Sequence, residues 1–534
     1  MLHLKPQNNN RSVKQNLNIY KQIFFNTVAG WFEMVILLAS GLIIPPLLLA
    51  SLGKEGYGVW ILVGQVTAYL PILDLGVGSS VGRFVAKYNA KKDYEGLSQI
   101  ISSSIFLFLI SSIFVVIITL IIWPNFSKFF DLSREYFNVG RWLVLLIGFG
   151  FAVDFPLRIG QGILQGIHRF DLMYFLRATG TFLRLILIIT VFGWFRCKSL
   201  IVLGIIATVI TILIDVLMCS YVHHKSPVIG KFEYKSVKFS SLKEIWSLSL
   251  SALLGTLAAL LFNQGQIICV GKIVGTRTVT IYAIPIMLLT YGSMITAYIT
   301  GAFKPIASHM QALNEKKKLQ KLNIGGVKIS FIISLFIAII AIAFSHSFFK
   351  IWLHASKDLS DADFVTLSNV LTIMVIGFAI GIPQNVSAKM LSGIDKQWFV
   401  AFVSLTASLV GFCIGILLML KTHLGLYGMA VGWITVFFVK GVLIFPIKAC
   451  RYFNISPLHY IKQAYLPPLI AGAILIIIVL LIKQVLDSSS FVSLFPSILF
   501  CLIVYAISVY FFCLSQEEKM RLWNMVGRSK INAS

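Results

Sequence analysis

A run of about 20 apolar residues is long enough to cross a bilayer as a helix. This chain holds fourteen such runs, at 27–51, 57–80, 100–123, 141–167, 178–195, 199–220, 247–270, 279–302, 327–347, 364–389, 398–420, 424–447, 464–482 and 493–513. The fold class they define is an all-α integral membrane protein of about fourteen transmembrane helices. Only 12% of the residues are charged, against roughly 25% in soluble domains. The 534 residues therefore form spans instead of the three or four soluble domains that about 150 residues per domain would suggest. A net charge of +25 raises nucleic-acid binding as a class, but the hydropathy excludes it. In a membrane protein such a surplus marks cytoplasmic loops and contact with anionic lipid. The seven cysteines, Cys197, Cys219, Cys269, Cys413, Cys450, Cys501 and Cys513, form no CxxC pair. They read as small buried hydrophobes and offer no metal site.

An even number of spans puts both termini on one side. The terminal segments and the loops on their side carry 28 Lys and Arg, and the opposite loops carry 11. The positive-inside rule then places both termini in the cytoplasm and makes the chain a multi-pass protein of the cytoplasmic membrane. The polar segment 1–26, with Lys5, Arg11, Lys14 and Lys21, is not a cleavable signal. No external loop exceeds about 20 residues, which leaves little room for an external catalytic domain and argues against an enzyme.

The halves resemble each other. FPLRIGQGILQGIHR at 155–169 aligns with IPQNVSAKMLSGIDK at 382–396. Pro156, Leu164, Gly166 and Ile167 match Pro383, Leu391, Gly393 and Ile394, and Arg169 matches Lys396. Gly53 and Trp60 match Gly275 and Tyr282, and the basic loop after each of these regions recurs. Copies that start six spans apart share one membrane orientation, as in parallel-repeat transporters. The expected organisation is a cytoplasmic segment 1–26, a six-helix bundle 27–220, a cytoplasmic linker 221–246, a second six-helix bundle 247–447, two added helices within 448–513 and a cytoplasmic tail 514–534. Substrate sites in such folds lie near the midplane.

Ionisable groups inside a span cost several kcal/mol and need a partner, a cavity or a nearby interface. Asp154, Arg158, Gln161 and Gln165 fall on one face of the fourth span at about 100° per residue. They either face a water-filled cleft, with Arg158 meeting an anion, or form a neutral pair that only locks helices. Arg177, Thr181 and Arg184 share a face of the fifth span. Arg184 is expected to line the cleft, to pair with Asp154 or Asp215, or to snorkel. Gln65, Gln161, Asn263, Gln266 and Asn385 are candidates for sugar hydroxyls, and Lys440 is a further cleft cation. Ser249, Thr256, Asn263 and Gln266 line one face of the seventh span, and Thr290, Ser293, Ala297 and Thr300 one face of the eighth, as helix glue or cleft lining. Glu33, Asp154 and Asp215 are candidate H⁺ or Na⁺ coupling sites, and no other cofactor is expected.

LDLGVGSSVGRFVAKYNAKK at 73–92 is almost a GxGxxG loop, but Val81 stands where the third glycine should be and no strand precedes it. Gly78 and Gly82 instead suit close helix packing, and Asp74 and Arg83 are placed at the inner mouth of the cleft as a candidate gate. With Gly56-Tyr57-Gly58 before it, the pattern Asp74-Leu75-Gly76-Val77-Gly78 then Arg83 resembles the second-span region of Wzx-like polysaccharide-unit flippases. Leu164-Gln165-Gly166 also looks like theirs. That family belongs to a superfamily that includes multidrug exporters and lipid II flippases. The resemblance implies the substrate, an undecaprenyl-diphosphate-linked oligosaccharide, turned from the inner to the outer leaflet through a cationic cleft, with an ion gradient as the drive. It also implies membrane lipids, a polymerase and glycosyltransferases as partners, and a monomer is expected. Arg158 and Arg184 suit a diphosphate because the guanidinium fork donates in pairs. A multidrug or metabolite exporter of the same superfamily is the alternative, and a membrane polymerase or ligase a weaker one.

Overall fold

The computed structural model describes residues 9–74, 76–225, 255–485, 490–516 and 518–520, and every regular element in them is helical. Most of the expected linker, with Ser249 at the start of the seventh span, lies outside the described residues, as do 1–8 and 521–534. The chain divides into two compact units, Met1–Leu253 and Leu254–Ser534.

The first unit comprises α1 (Asn9–Thr67), a 3-10 turn at Leu70–Asp74, α2 (Val77–Lys91), α3 (Tyr94–Phe129), α4 (Arg134–Gly166), α5 (Phe170–Ile188, continuing as a π-helical turn to Trp194) and α6 (Leu200–Lys225). The apolar segment Phe24–Asp74 has 51 residues, about 75 Å of helix against a hydrocarbon core of about 30 Å. It turns at Gly53, whose φ of 70° and ψ of 176° belong to a region open essentially to glycine alone. The 13 membrane-spanning segments of the described residues therefore make fourteen crossings.

Two of the boundaries that differ from those expected bear on the site. The second crossing does not run on to residue 80, because its helix stops at Thr67 and α2 is a separate element entered through left-handed Gly76. The fifth starts at Phe170 and not 178, so Arg177 lies inside a helix. A carboxylate partner, described below, lowers the cost of placing it there.

Glycines let α2 approach α4 closely. A β-carbon at Gly166 would come within 2.5 Å of Val85 Cβ, one at Gly162 within 2.7 Å of Val81 Cγ1, and one at Gly82 within 3.3 Å of the Gly162 carbonyl oxygen. Gly82 thus faces its neighbour as expected. Gly78 does not: it faces Asp74, whose Oδ1 accepts the Gly78 N–H at 2.9 Å.

The second unit comprises α7 (Gly255–Ile273, with a π-helical turn at Leu261–Gly265), α8 (Thr276–Thr300), α9 (Phe303–Ala312), α10 (Lys316–Trp352), α11 (Asp361–Gly381), a 3-10 turn at Ile382–Gln384 and α12 (Asn385–Gly393). It continues with α13 (Gln397–Lys421), α14 (Leu426–Phe438), a π-helical turn at Val439–Ile444, α15 (Phe445–Phe453), α16 (Pro457–Ala464), α17 (Leu466–Val485) and α18 (Phe491–Phe512).

The duplication is written in the backbone. α3 begins at Tyr94 and α10 at Lys316, 222 residues later. α4 spans Arg134–Gly166, and α11 through α12 span Asp361–Gly393, both ends displaced by 227. Positive-φ residues recur in pairs at the same displacements: Gly53 with Gly275, Lys92 with Asn314, and His168 with Asp395. α17 and α18 have no counterpart in the first unit. They pack on α10 through Leu475, Val479, Cys501 and Tyr505 against Ile339, and the Tyr505 hydroxyl donates to the Ile332 carbonyl at 2.9 Å.

Gly166→Val should destabilise the protein by about 1–3 kcal/mol through overpacking, read as a lowered thermal midpoint in detergent. Gly64→Ala, where a β-carbon meets nothing within 4 Å, should leave the midpoint unchanged or raise it.

Candidate functional site

The first unit encloses a cavity of about 550 Å³. The polar stripe of α4 forms one wall, with Asp154, Arg158, Gln161 and Gln165 all lining it. The face of α5 that carries Arg177, Thr181 and Arg184 forms a second wall, and Thr211 and Asp215 of α6 a third. Glu33 of α1 and Asp74 complete the ring of charge. Four elements thus turn their membrane-embedded polar residues toward one space, as the cost of exposing them to lipid requires.

Inside it the charges are paired. Arg158 Nε donates to Asp154 Oδ2 at 2.8 Å, and its guanidinium lies 4.7 Å from the Phe155 ring centroid. Asp154 is 3% exposed, and its Oδ1 has no hydrogen-bond partner among the described residues. Asp215 of α6 lines the same cavity and lies close enough to Asp154 and Arg158 to interact with both. Arg177 Nε pairs with Glu33 Oε1 at 3.0 Å. Arg184 differs from both. It donates to Thr211 Oγ1 at 2.8 Å and to the Ala207 carbonyl at 3.4 Å, and its Nε is buried without a partner. Of the three cavity arginines it is the one with no carboxylate among its described partners.

The expectation of a cationic cleft is corrected for this cavity, whose lining carries three arginines and four carboxylates. Burial explains the balance. A guanidinium in low dielectric is tolerated when a counter-charge travels with it, and Asp154 and Glu33 serve as counter-charges. Neither the pair nor the snorkelling alternative holds for Arg184, which lines the cavity on a hydroxyl and a carbonyl.

The remaining predicted residues lie elsewhere. Gln65 is half-buried and outside the cavity wall. Arg83 is exposed on α2 and makes no ion pair with Asp74, which is engaged with Gly78, so the expected gate contact is absent among the described residues. In the second unit, Gln266 is 1% exposed and its Oε1 accepts from the Tyr282 hydroxyl at 2.7 Å, which corrects its reading as a sugar ligand. Asn263 is half-buried in the π-helical turn of α7, and Asn385 is exposed at the start of α12. The Lys440 ammonium rests over the rings of Phe262 and Phe437, 5.3 and 5.6 Å from their centroids, a cation–π seat. Thr290, Ser293 and Thr300 bond back to carbonyls of their own helix. Thr211 is the polar cavity residue that sequence reasoning missed, and it lies i, i+4 from Asp215, a spacing that could have found it.

Six-helix units duplicated in register, with a charged cavity enclosed by helices, are the architecture of a parallel-repeat membrane transporter. The chain belongs to the family described as polysaccharide biosynthesis protein, whose model matches residues 21–311. A second model, MatE, matches residues 252–417. An uncharacterized membrane protein of Bacillus subtilis (strain 168), EpsK, is 19% identical over 492 residues, 91% of this chain and 94% of that one. The fold is similar to that of the lipid II flippase MurJ in its inward closed conformation, with a TM-score of 0.65 and 15% identity over 92% of this chain and 98% of that one. It is also similar to an inward-facing multidrug resistance MATE family transporter of the MOP superfamily, with a TM-score of 0.62 and 16% identity over 81% of this chain and 96% of that one.

A double-mutant cycle of Glu33→Gln and Arg177→Gln should give a coupling of about 0.5–1.5 kcal/mol, read from thermal midpoints, because the pair is only partly withdrawn from solvent.

Proposed function

We propose that the protein turns a lipid-linked oligosaccharide, carried on undecaprenyl diphosphate, from the inner to the outer leaflet of the cytoplasmic membrane by alternating access, acting as a monomer with both termini in the cytoplasm. The observation that carries this reading is the set of cavity arginines, and Arg184 above all, in a chain of the polysaccharide biosynthesis family. Arg184 has a buried donor without a partner and no carboxylate to displace. A diphosphate oxygen that accepts from it gains a charge-assisted hydrogen bond. Arg158 and Arg177 join once their carboxylates are drawn away, and Gln161, Gln165 and Thr181 supply donors and acceptors for sugar hydroxyls. The isoprenoid tail stays in lipid. Glycosyltransferases would supply this substrate and a polymerase would consume it.

Asp154, paired with Arg158, and Asp215, lining the same cavity, are where this reading puts ion coupling, because a proton or sodium ion bound there offsets the surplus negative charge. Glu33 is the next site. The balance of charge also favours a second reading, an exporter of cationic solutes, since four carboxylates line the same space.

In a deletion strain, plasmid-borne Arg184→Ala and Arg158→Ala should lower surface polysaccharide by at least about tenfold, as removal of a charge-assisted contact worth about 1.5–3 kcal/mol predicts, with unchanged protein in the membrane by immunoblot. Arg158→Lys should be intermediate. Wild-type polysaccharide in both alanine variants would overturn the reading, and lost resistance to cationic drugs with normal polysaccharide would favour the second. In everted membrane vesicles, a protonophore or a sodium ionophore should slow translocation by the wild type and have no further effect on Asp215→Asn.

A further inference from the structure

The two copies differ in the form of the fourth crossing. α4 runs unbroken from Arg134 to Gly166 with Pro156 inside it. Its counterpart stops at Gly381, passes through the 3-10 turn Ile382–Gln384 and resumes as α12. Pro383 matches Pro156, so proline alone does not account for the change, because the same proline leaves α4 continuous. Side chains around the turn differ instead. Gln384, 1% exposed, stands where the first copy has Leu157. Ser387 stands where it has Gly160, and Asn323, fully buried on α10, where α3 has Ile101.

These three polar residues form a network that the first copy lacks. Gln384 Nε2 donates to the Tyr460 hydroxyl at 2.9 Å and also to the Tyr465 hydroxyl. Ser387 Oγ and the Tyr460 hydroxyl lie 3.4 Å apart, and Asn323 Nδ2 donates to Ser387 Oγ at 3.2 Å. Both tyrosines come from α16 and the residue after it, the segment that leads into α17 and α18, the helices without a counterpart. The network is left incomplete: Asn323 Oδ1 and Gln384 Oε1 are buried acceptors with no partner among the described residues. Buried acceptors at a helix break leave hydrogen bonds still to gain. A 3-10 turn inside a long helix is a common form for a hinge.

We infer that Tyr460 and Tyr465 form a strap that holds the helix from Asp361 to Gly393 open at Gln384, and so makes the added helices α17 and α18 control its bending. In the first copy the same helix position is tied within its own bundle, with the Cys219 thiol donating to the Leu157 carbonyl at 3.1 Å. The strap is therefore a device of the second unit alone. When it lets go, the turn closes into a continuous helix like α4.

The sign of one measurement decides this. Hydrogen–deuterium exchange of purified full-length protein in detergent should slow by at least about threefold at the amides of 384–388 in Tyr460→Phe/Tyr465→Phe, because releasing the strap heals the helix. The triple variant with Gln384→Leu, which orphans no hydroxyl and restores the first copy's residue, should slow it equally and keeps the test valid if the double variant folds poorly. Faster or unchanged exchange there would mean that the tyrosines merely buttress the turn, and would overturn the inference whatever the transported substrate is.

Discussion

A guanidinium held within a bilayer has to bring its neutralising partner with it, and the first unit is built around that requirement. Arg158 carries Asp154 one turn before it on the same helix, so the pair inserts as one neutral object. Arg177 takes Glu33 from another helix, which joins α1 to α5 by charge as well as by packing. These contacts fix which faces of α1, α4 and α5 turn inward, and the cavity is the space between those faces. Arg184 departs from the pattern. A hydroxyl and a carbonyl satisfy its geometry but not its charge. The interior thus neutralises two of its cations with carboxylates and leaves the third on neutral partners.

Much of this was legible in the sequence, for reasons that are physical. Hydrocarbon thickness sets the length of an apolar run, so the number of crossings followed from counting. Helical periodicity placed Asp154, Arg158, Gln161 and Gln165 on one face, and the cavity lies on that face. The balance of charge was not legible. Net positive charge over the chain says little about a site where carboxylates come from α1, α4 and α6 and meet only in three dimensions. Gln266 and Lys440 were hard to place for a related reason. A polar side chain in a span signals a need for company, but sequence does not tell whether that company is a ligand, the Tyr282 hydroxyl, or the rings of Phe262 and Phe437. Helix ends were the other weak point. Apolar character continues through Thr67–Gly78 although the helix does not.

The second unit shows how a repeat acquires a separate task. Its helices keep the lengths and turns of the first, yet its charged cavity residues are not kept: Arg158 and Asp154 correspond to Asn385 and Gly381. The polar residues Asn323, Gln384 and Ser387 form a network with Tyr460 and Tyr465, in the segment that leads to the added helices. The copies thus share a frame, and the arginine–carboxylate pair on the fourth crossing of the first gives way to neutral hydrogen bonding in the second.

The displacement between copies changes from 222 to 227 residues between the α3–α10 pair and the α4–α11 pair, and it does so almost wholly in the connection that follows α10, Leu353–Ser360. The bilayer has acted on this gene as a ruler. An insertion inside a crossing would rotate every following side chain by about 100° and shift it by 1.5 Å, turning an inward arginine toward lipid. An insertion in a connection outside the bilayer moves nothing. Length could therefore drift only where the chain leaves the membrane, and the loops keep the record of divergence that the helices were not free to write.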